Sequence, residues 1–453
     1  MNKFLSSVLC AVLLSYTTFA APASSSSLAA NSTAPSATLS SSSEAASPTV
    51  PYASDDPNTI EWSTTAEDID PQAIRGTLGG TILGPQNIPL DIQNPDLLAP
   101  PTTDAGTVGN AKWPMGLSKN RIQTGGWARQ QNVDVMPMAT GLAGVDMRLE
   151  PGAIRELHWH TTAEWAYIIS GWTQVTAINS DGQNFLATLG PGDLWYFPPG
   201  CPHSLQATNQ STNGTEFLLV FPNGSFSEDN TFLLTDWMAH TPKEVLARNF
   251  QTSISAFNQI PSEQLYIFPS APSAEPPSPD AEAPSDPNGQ VPMPFAYSFS
   301  QQPAIQTSGG SYKIADSTVF NVSKEVAVAE ITVVPGGMRE LHWHPTQDEW
   351  GFFLEGQARI TLFASSGNAA TYNYQPGDVS YIPATYGHYV ENIGNTTLRF
   401  LEIFNTDRFQ DISLSQWLAV TPPALVQAHL QLDDNLINNL NKTKQVVVGP
   451  VSN

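Results

Sequence analysis

Cysteine is nearly missing from this chain: two residues in 453, and one of them, Cys10, falls in a leader-like N-terminus. Cleavage of that leader leaves Cys201 alone, which excludes an intramolecular disulfide and leaves stability to packing. A lone cysteine of this kind is expected to be buried, without a redox role. Bases are scarce too, 18 Lys and Arg against 41 Asp and Glu, for a formal charge of −23. A surface so charged repels phosphate backbones and anionic lipid, which argues against nucleic-acid binding. No apolar run reaches the ~20 residues that a membrane-spanning helix needs. Charged residues make up only 13%, whereas 31 Gly and 38 Pro punctuate the sequence, a composition of strands and turns rather than of long helices. A chain of 453 residues is about three times the ~150 of one domain, so at least two cores are expected.

The first twenty residues carry Lys3, an apolar run from Phe4 to Leu14, and Thr18-Phe19-Ala20, small at the −3 and −1 positions of a cleavage site. Residues 1–20 are therefore expected to be a signal peptide, and the mature protein secreted and extracellular. Six Asn-x-Ser/Thr sequons, at Asn209, Asn213, Asn223, Asn321, Asn395 and Asn441, with a seventh at Asn31, suit an N-glycosylated product. Residues 21–60 are rich in Ser, Ala, Thr and Pro, with few large apolar side chains to offset the entropy of ordering, and read as a disordered lead-in.

A second such stretch, 269–294, holds nine prolines and reads as a linker between domains at 61–268 and 295–453. These two halves repeat one another. Gly152-Ala-Ile-Arg-Glu-Leu-His-Trp-His160 returns as Gly336-Gly-Met-Arg-Glu-Leu-His-Trp-His344, and Pro191-Gly-Asp193 as Pro376-Gly-Asp378. Phe217 to Phe221 recurs as Phe400 to Phe404, and Trp237 with Thr241-Pro242 as Trp417 with Thr421-Pro422. Short strand-like runs at 145–150, 165–170, 173–178, 194–197 and 217–221, parted by Gly, Pro, Asn and Asp, predict an all-β sandwich or barrel. Each Thr-Pro pair predicts a helix with threonine as N-cap and proline at its first position, so each half is expected to close with a short helical segment.

Side chains two apart on a strand share a face, so His158 and His160 point together, as do His342 and His344. Glu164 and Glu349 follow by four and five residues, and His203 and His388 lie 39 beyond each glutamate. Six of the eight histidines fall in these two sets, which points to metal ligation rather than scattered structural histidines. Three imidazoles and a carboxylate leave two positions free on an octahedral ion, which suits Mn(II) or Fe(II). Zinc more often stays four-coordinate, and copper fits the ligand types as well.

Arg155 and Arg339 stand three residues before the first ligand, an odd spacing that sends them to the opposite strand face unless a bend intervenes. Each offers a planar fork for a carboxylate, or alternatively a salt bridge to its neighbour Glu156 or Glu340. The halves also differ. From Phe221 to Trp237 the chain advances sixteen positions, from Phe404 to Trp417 thirteen. The insertion lies in Gly224 to Thr231, a small, polar stretch whose one glutamate is Glu228, and reads as a mobile lid or a solvated loop. Glu402 replaces the apolar Leu219 of the first half and needs a partner, Arg339 or a metal-bound group.

Gly-x5-His-x-His-x3-4-Glu-x6-Gly fits Gly152 to Gly171 and Gly336 to Gly356, and Gly-x5-Pro before the last histidine fits Gly192 to His203 and Gly377 to His388. These motifs resemble the two cupin motifs, which implies a bicupin, two jelly-roll β-barrels. Ala207 and Thr385 depart from the second motif, where Asn and Gly are usual. The Arg-Glu-Leu-His-Trp-His repeats, Gly192-Asp-Leu-Trp-Tyr-Phe-Pro, Gly224-Ser-Phe-Ser-Glu and His388-Tyr-Val-Glu-Asn further resemble the manganese oxalate decarboxylases of the secreted, fungal type. That resemblance implies two Mn ions, one on His158, His160, Glu164 and His203, the other on His342, His344, Glu349 and His388. It implies that Arg155 and Arg339 face substrate, that Glu228 is the lid glutamate, and that Glu402 lies near the second site. The family's lid reads Ser-Glu-Asn-Ser, whereas this one reads Ser227-Glu228-Asp229-Asn230.

The implied reaction converts oxalate to formate and CO2, with O2 as a co-catalyst and Glu228 taking and returning the proton. The alternatives are an oxalate oxidase that releases CO2 and hydrogen peroxide, and a storage-type bicupin without catalysis; retention of both ligand sets and the lid insertion favour the decarboxylase. Assembly into a homo-oligomer is left open.

Overall fold

The structure, a computed structural model, describes residues 63–66, 68–271 and 286–451. The leader, the whole lead-in and the middle of the linker lie outside the described residues. Strands occupy Ala143–Leu149, Glu164–Ser170, Thr173–Ile178, Leu194–Phe197 and Thr215–Phe221, close to the expected runs. In each half the strands form two antiparallel sheets that close over a shared interior, the jelly-roll arrangement of a cupin barrel. In the first barrel one sheet runs Asn184–Leu189, Thr173–Ile178, His203–Ala207, Ile154–Trp159 and Phe232–Leu233. The second barrel repeats it with Asn368–Tyr374, Ala358–Ala364, Gly387–Asn392, Met338–Trp343 and Ile412–Ser413.

The central strands of the opposite, seven-stranded sheets are buried on both faces. Every residue from Glu164 to Ile168 and from Glu349 to Phe353 is buried, because one face lines a barrel and the other packs against the second half. One hydrophobic cluster accordingly mixes Trp165, Tyr167 and Leu218 with Val328, Trp350 and Leu401. The approach is close: a Cβ on Gly144 would lie 2.3 Å from the Trp350 ring, so only glycine fits there. Trp350 Nε1 donates to Gln131 Oε1 at 2.6 Å, and Tyr167 donates to Glu330 at 3.1 Å across the same junction.

The halves also trade strands, which the repeat did not reveal. Lys112–Pro114, ahead of the first barrel in sequence, pairs with Asp378–Ile382 of the second, and Lys112 meets Asp378 in a buried pair at 3.0 Å. Ala296–Tyr297, beyond the linker, pairs with Leu194–Phe197 of the first. Asp96 reinforces the exchange, accepting from Arg75 at 3.1 Å and from Arg359 at 2.8 Å.

Short helices follow each barrel, Leu234–Ala239 and Lys243–Asn249 in the first, Leu414–Val420 and Pro423–Leu430 in the second. Their caps differ from expectation. Pro242 and Pro422 are themselves the N-cap residues, with extended ψ of 133° and 125°. The threonines turn back instead, each hydroxyl donating at 2.8 Å to the carbonyl of Trp237 or Trp417 and so closing the preceding helix. Thr385 adopts φ +71°, the left-handed region that Gly200 fills at +74° in the first half, so its departure from the motif carries backbone strain.

Candidate metal centres

Antiparallel pairing sets the ligands. His203 stands opposite His158, and His388 opposite His342, so each pair projects into its barrel from adjacent strands. His160 and His344 follow just past the strand end, and Glu164 and Glu349 open the next strand. In each set the four ligand atoms lie within 4.8 Å of one another, and all eight residues are buried.

The ring nitrogens settle what these clusters can hold. Every Nδ1 of the six histidines faces a backbone carbonyl, which only accepts: His158 to Glu156 at 2.5 Å, His160 to Thr162 at 2.8 Å, His203 to Cys201 at 2.8 Å. In the second set His342 meets Glu340 at 2.6 Å, His344 meets Gln410 at 2.8 Å and His388 meets Tyr386 at 3.0 Å. Each Nδ1 therefore carries the proton, and each Nε2 turns a lone pair inward. There it meets a carboxylate: Glu164 lies 3.2 Å from His160 and 3.3 Å from His203, and Glu349 lies 2.9 Å from His344 and 3.2 Å from His388. The buried Nε2 atoms of His203, His342 and His344 have no hydrogen-bond partner. Burial, and behind it Arg155 or Arg339, holds His158 and His342 well below the ordinary histidine range, so those two rings stay neutral. Neutral imidazoles around a buried carboxylate are acceptors facing acceptors, and a divalent cation is what such a set fits.

The arginines do reach the interior. Arg155 pairs with Leu205 while His158 pairs with His203, so three steps on one strand match two on the other, a β-bulge. Arg155 and Glu156 thereby both turn inward, and the same shift between Arg339 and His342 repeats the arrangement. Neither arginine uses its neighbour. Glu156 accepts from the backbone N–H groups of Thr235, Leu265 and Tyr266 at 2.8–2.9 Å, and Glu340 accepts from Ser413 and Val446. Arg155 Nη2 donates instead to Glu228 Oε2 at 2.9 Å.

Glu228 begins a 3-10 turn, Glu228–Asn230, in the inserted segment, and only 9% of it is exposed. The Tyr266 hydroxyl donates to the same Oε2 at 2.9 Å, and Gln130 Oε1 accepts from the Glu228 N–H at 3.1 Å. Burial pushes the Tyr266 phenol up, which keeps its hydroxyl a donor. Phe226, from the same segment, stacks on Phe221 at 3.5 Å and packs against His160.

The second site shares the ligand shell and differs beside it. Arg339 is bound to two carboxylates, Glu402 at 3.1 Å and Asp411 at 2.7 Å, and Asp411 is also paired with Lys444. Burial raises Glu402 against the opposing pull of Arg339, and its Oε2 has no hydrogen-bond partner. Burial and Arg339 lower Lys444 to about 8. Asp411, Lys444 and Tyr266 escaped the sequence reading because they are distant in the chain and belong to no motif. Cys201 is buried, and that burial pushes its thiol up to about 12, an inert setting.

Trp195 was also missed, although it stands in the quoted Gly192 to Pro198 run. Its Nε1 donates to Glu164 Oε1 at 2.8 Å, fixing the carboxylate; Ser380 holds the corresponding place in the second half, and its Oγ has no partner. Loss of such an outer hydrogen bond typically weakens a metal site about 10- to 100-fold. Trp195→Phe is expected to weaken one of the two metal sites by that factor and leave the other unchanged, as read by titration of the bound metal with a chelator.

Residues 117–256 and 296–438 each match the cupin family model. Oxalate decarboxylase OxdC of Bacillus subtilis (strain 168) is 52% identical over 378 residues, covering 83% of this chain and 97% of that protein. A probable oxalate decarboxylase of Arthroderma benhamiae is 41% identical over 377 residues, covering 82% and 91%. A solved structure of Bacillus subtilis oxalate decarboxylase, a protein with Mn(II) centres, superposes with a TM-score of 0.82 at 51% identity, covering 84% of this chain and all of that one. With the ligand sets in both barrels and a likeness that runs through both, the chain belongs to the oxalate decarboxylase family of bicupins.

Proposed function

We propose that this protein is a secreted, manganese-dependent oxalate decarboxylase that turns over at its first site. The observation that carries this reading is the Arg155–Glu228 pair beside the first ligand set. A guanidinium already holding one carboxylate suits exchange for a carboxylate of oxalate once the lid moves. Arg339, held by both Glu402 and Asp411, is poorly placed for that exchange, which favours the first site.

Direct loss of CO2 would leave a carbanion on the carbon of the remaining carboxylate. When bound, manganese with O2 as co-catalyst supplies the one-electron chemistry that avoids it. The chain's own residues then bind and move the proton. Arg155 orients the substrate carboxylate, and Glu228, released from Arg155 by that exchange, takes the proton of oxalate monoanion. Tyr266 and Gln130 hold Glu228 in reach, and the Phe221–Phe226 stack screens His160 from water. Return of the proton to carbon gives formate, so that oxalate monoanion yields formate and CO2 with no net oxidation. Without that return, O2 takes the electrons and two CO2 and hydrogen peroxide result. The complete ligand sets and the buried lid glutamate weigh against a storage role.

The six sequon asparagines among the described residues, Asn209 to Asn441, are all exposed, which accords with an exported glycoprotein. Enzymatic deglycosylation of the native secreted protein is expected to lower its mass; an unchanged mass argues against that part of the reading. Glu228→Ala in manganese-loaded protein is expected to cut formate by about 10²-fold or more, the usual worth of a positioned proton-transfer group, and to raise peroxide. Joint assay of formate, CO2 and peroxide checks it, and an unchanged formate yield removes Glu228 from the role.

A further inference from the structure

The outer side of the lid meets a cavity of about 480 Å³. Glu228, Asp229 and Tyr266 line it, and so do Lys119, Arg121 and Arg129. Three of only 18 bases in a chain of charge −23 thus gather at one opening, matched there by three acids, Asp134, Glu228 and Asp229. In a protein whose overall field repels anions, an opening whose acids are matched by bases is where an anion can approach.

Arg121 is the best prepared of the three. Its guanidinium lies 3.6 Å from the centroid of the Tyr266 ring, and Arg155 lies 4.2 Å from the same ring. Nη2 of Arg121 donates to Gln264 at 2.9 Å, and Nη1 pairs with Asp229 at 3.3 Å. The lid is therefore held at two successive residues by two arginines stacked on one tyrosine, Glu228 by the buried Arg155 and Asp229 by Arg121 at the mouth. The outer pair is wet, with side-chain exposures of 30% for Arg121 and 83% for Asp229, so it is weak and open to exchange with a carboxylate from solvent.

We infer that Arg121 is a docking residue for the oxalate anion, which takes the guanidinium from Asp229 on arrival and so loosens the lid when substrate is present. This rests on the reading of oxalate as substrate. Carboxylate replaces carboxylate on one planar fork, and no bond is made or broken. Arg121 acts through approach and lid position and touches no reacting atom. The Asp229 of this lid, where the family has Asn, is what gives Arg121 a carboxylate to exchange.

The test uses the manganese-loaded full chain and three variants, each checked for retained metal. Arg121→Gln removes the charge and is expected to lower kcat/KM for oxalate about tenfold, mainly through KM, and to flatten its fall with added KCl. Arg121→Lys keeps the charge and is expected to restore the salt dependence while recovering KM only in part. Asp229→Asn frees the lid and is expected to raise the peroxide share of product up to about fivefold, the range of an exposed ion pair. Parent-like KM and salt dependence in Arg121→Gln overturn the docking role, and a parent-like product ratio in Asp229→Asn overturns the exchange. A parent inert towards oxalate overturns the functional reading and the docking role with it; an active parent with indifferent variants overturns the docking role alone.

Discussion

Six imidazoles whose Nδ1–H groups already donate to backbone carbonyls constrain everything else in this molecule. Their Nδ1 atoms are committed, and their Nε2 lone pairs face a carboxylate in each barrel, in a dry interior. Burial raises the cost of protonating His158 and His342, and a cation is what the arrangement fits. The jelly roll supplies the geometry, since His158 with His203 and His342 with His388 are cross-strand partners whose spacing the hydrogen-bond ladder dictates. The seven-stranded sheets, pressed together between the halves, stiffen the scaffold that holds both sets.

Duplication produced two equal ligand shells, and the difference between the sites lies in what holds the arginine. A bulge turns Arg155 and Arg339 inward alike. Arg155 then meets one carboxylate, carried on an inserted segment at the surface, whereas Arg339 meets two, neither exposed and one tied further to Lys444. A charge pair on a surface segment can trade partners; a pair such as Arg339 and Glu402, both fully buried, costs several kcal/mol to break, about 3–5 for removal of one partner. On the proposed reading, the same chemistry is exchangeable in one barrel and static in the other.

The ligand sets were legible because strand periodicity and duplication act at short range: His-x-His on a strand means one face, and a second copy removes coincidence. Glu228 was legible through the three-residue length difference between the halves. The inward turn of Arg155 was not, because a bulge depends on pairing with His203 to Ala207 and leaves no mark in the local pattern. Tyr266 and Trp195 act on Glu228 and Glu164 from 38 and 31 positions away, through contacts that only the closed barrel creates. The exchange of Lys112–Pro114 and Ala296–Tyr297 between barrels was equally invisible, since both are short strands whose partners lie in the other half. The misplaced helix caps have a local cause: Thr241 and Thr421 donate to a carbonyl behind them instead of accepting from an N–H ahead.

The proposed account holds that two like metal shells serve one exchangeable substrate site. Titrating oxalate into manganese-loaded protein without O2, with heat as the readout and the metal counted on the same sample, tests it most directly. The account predicts two manganese ions and one tightly bound oxalate per chain; two tight equivalents of oxalate, or none, would contradict it.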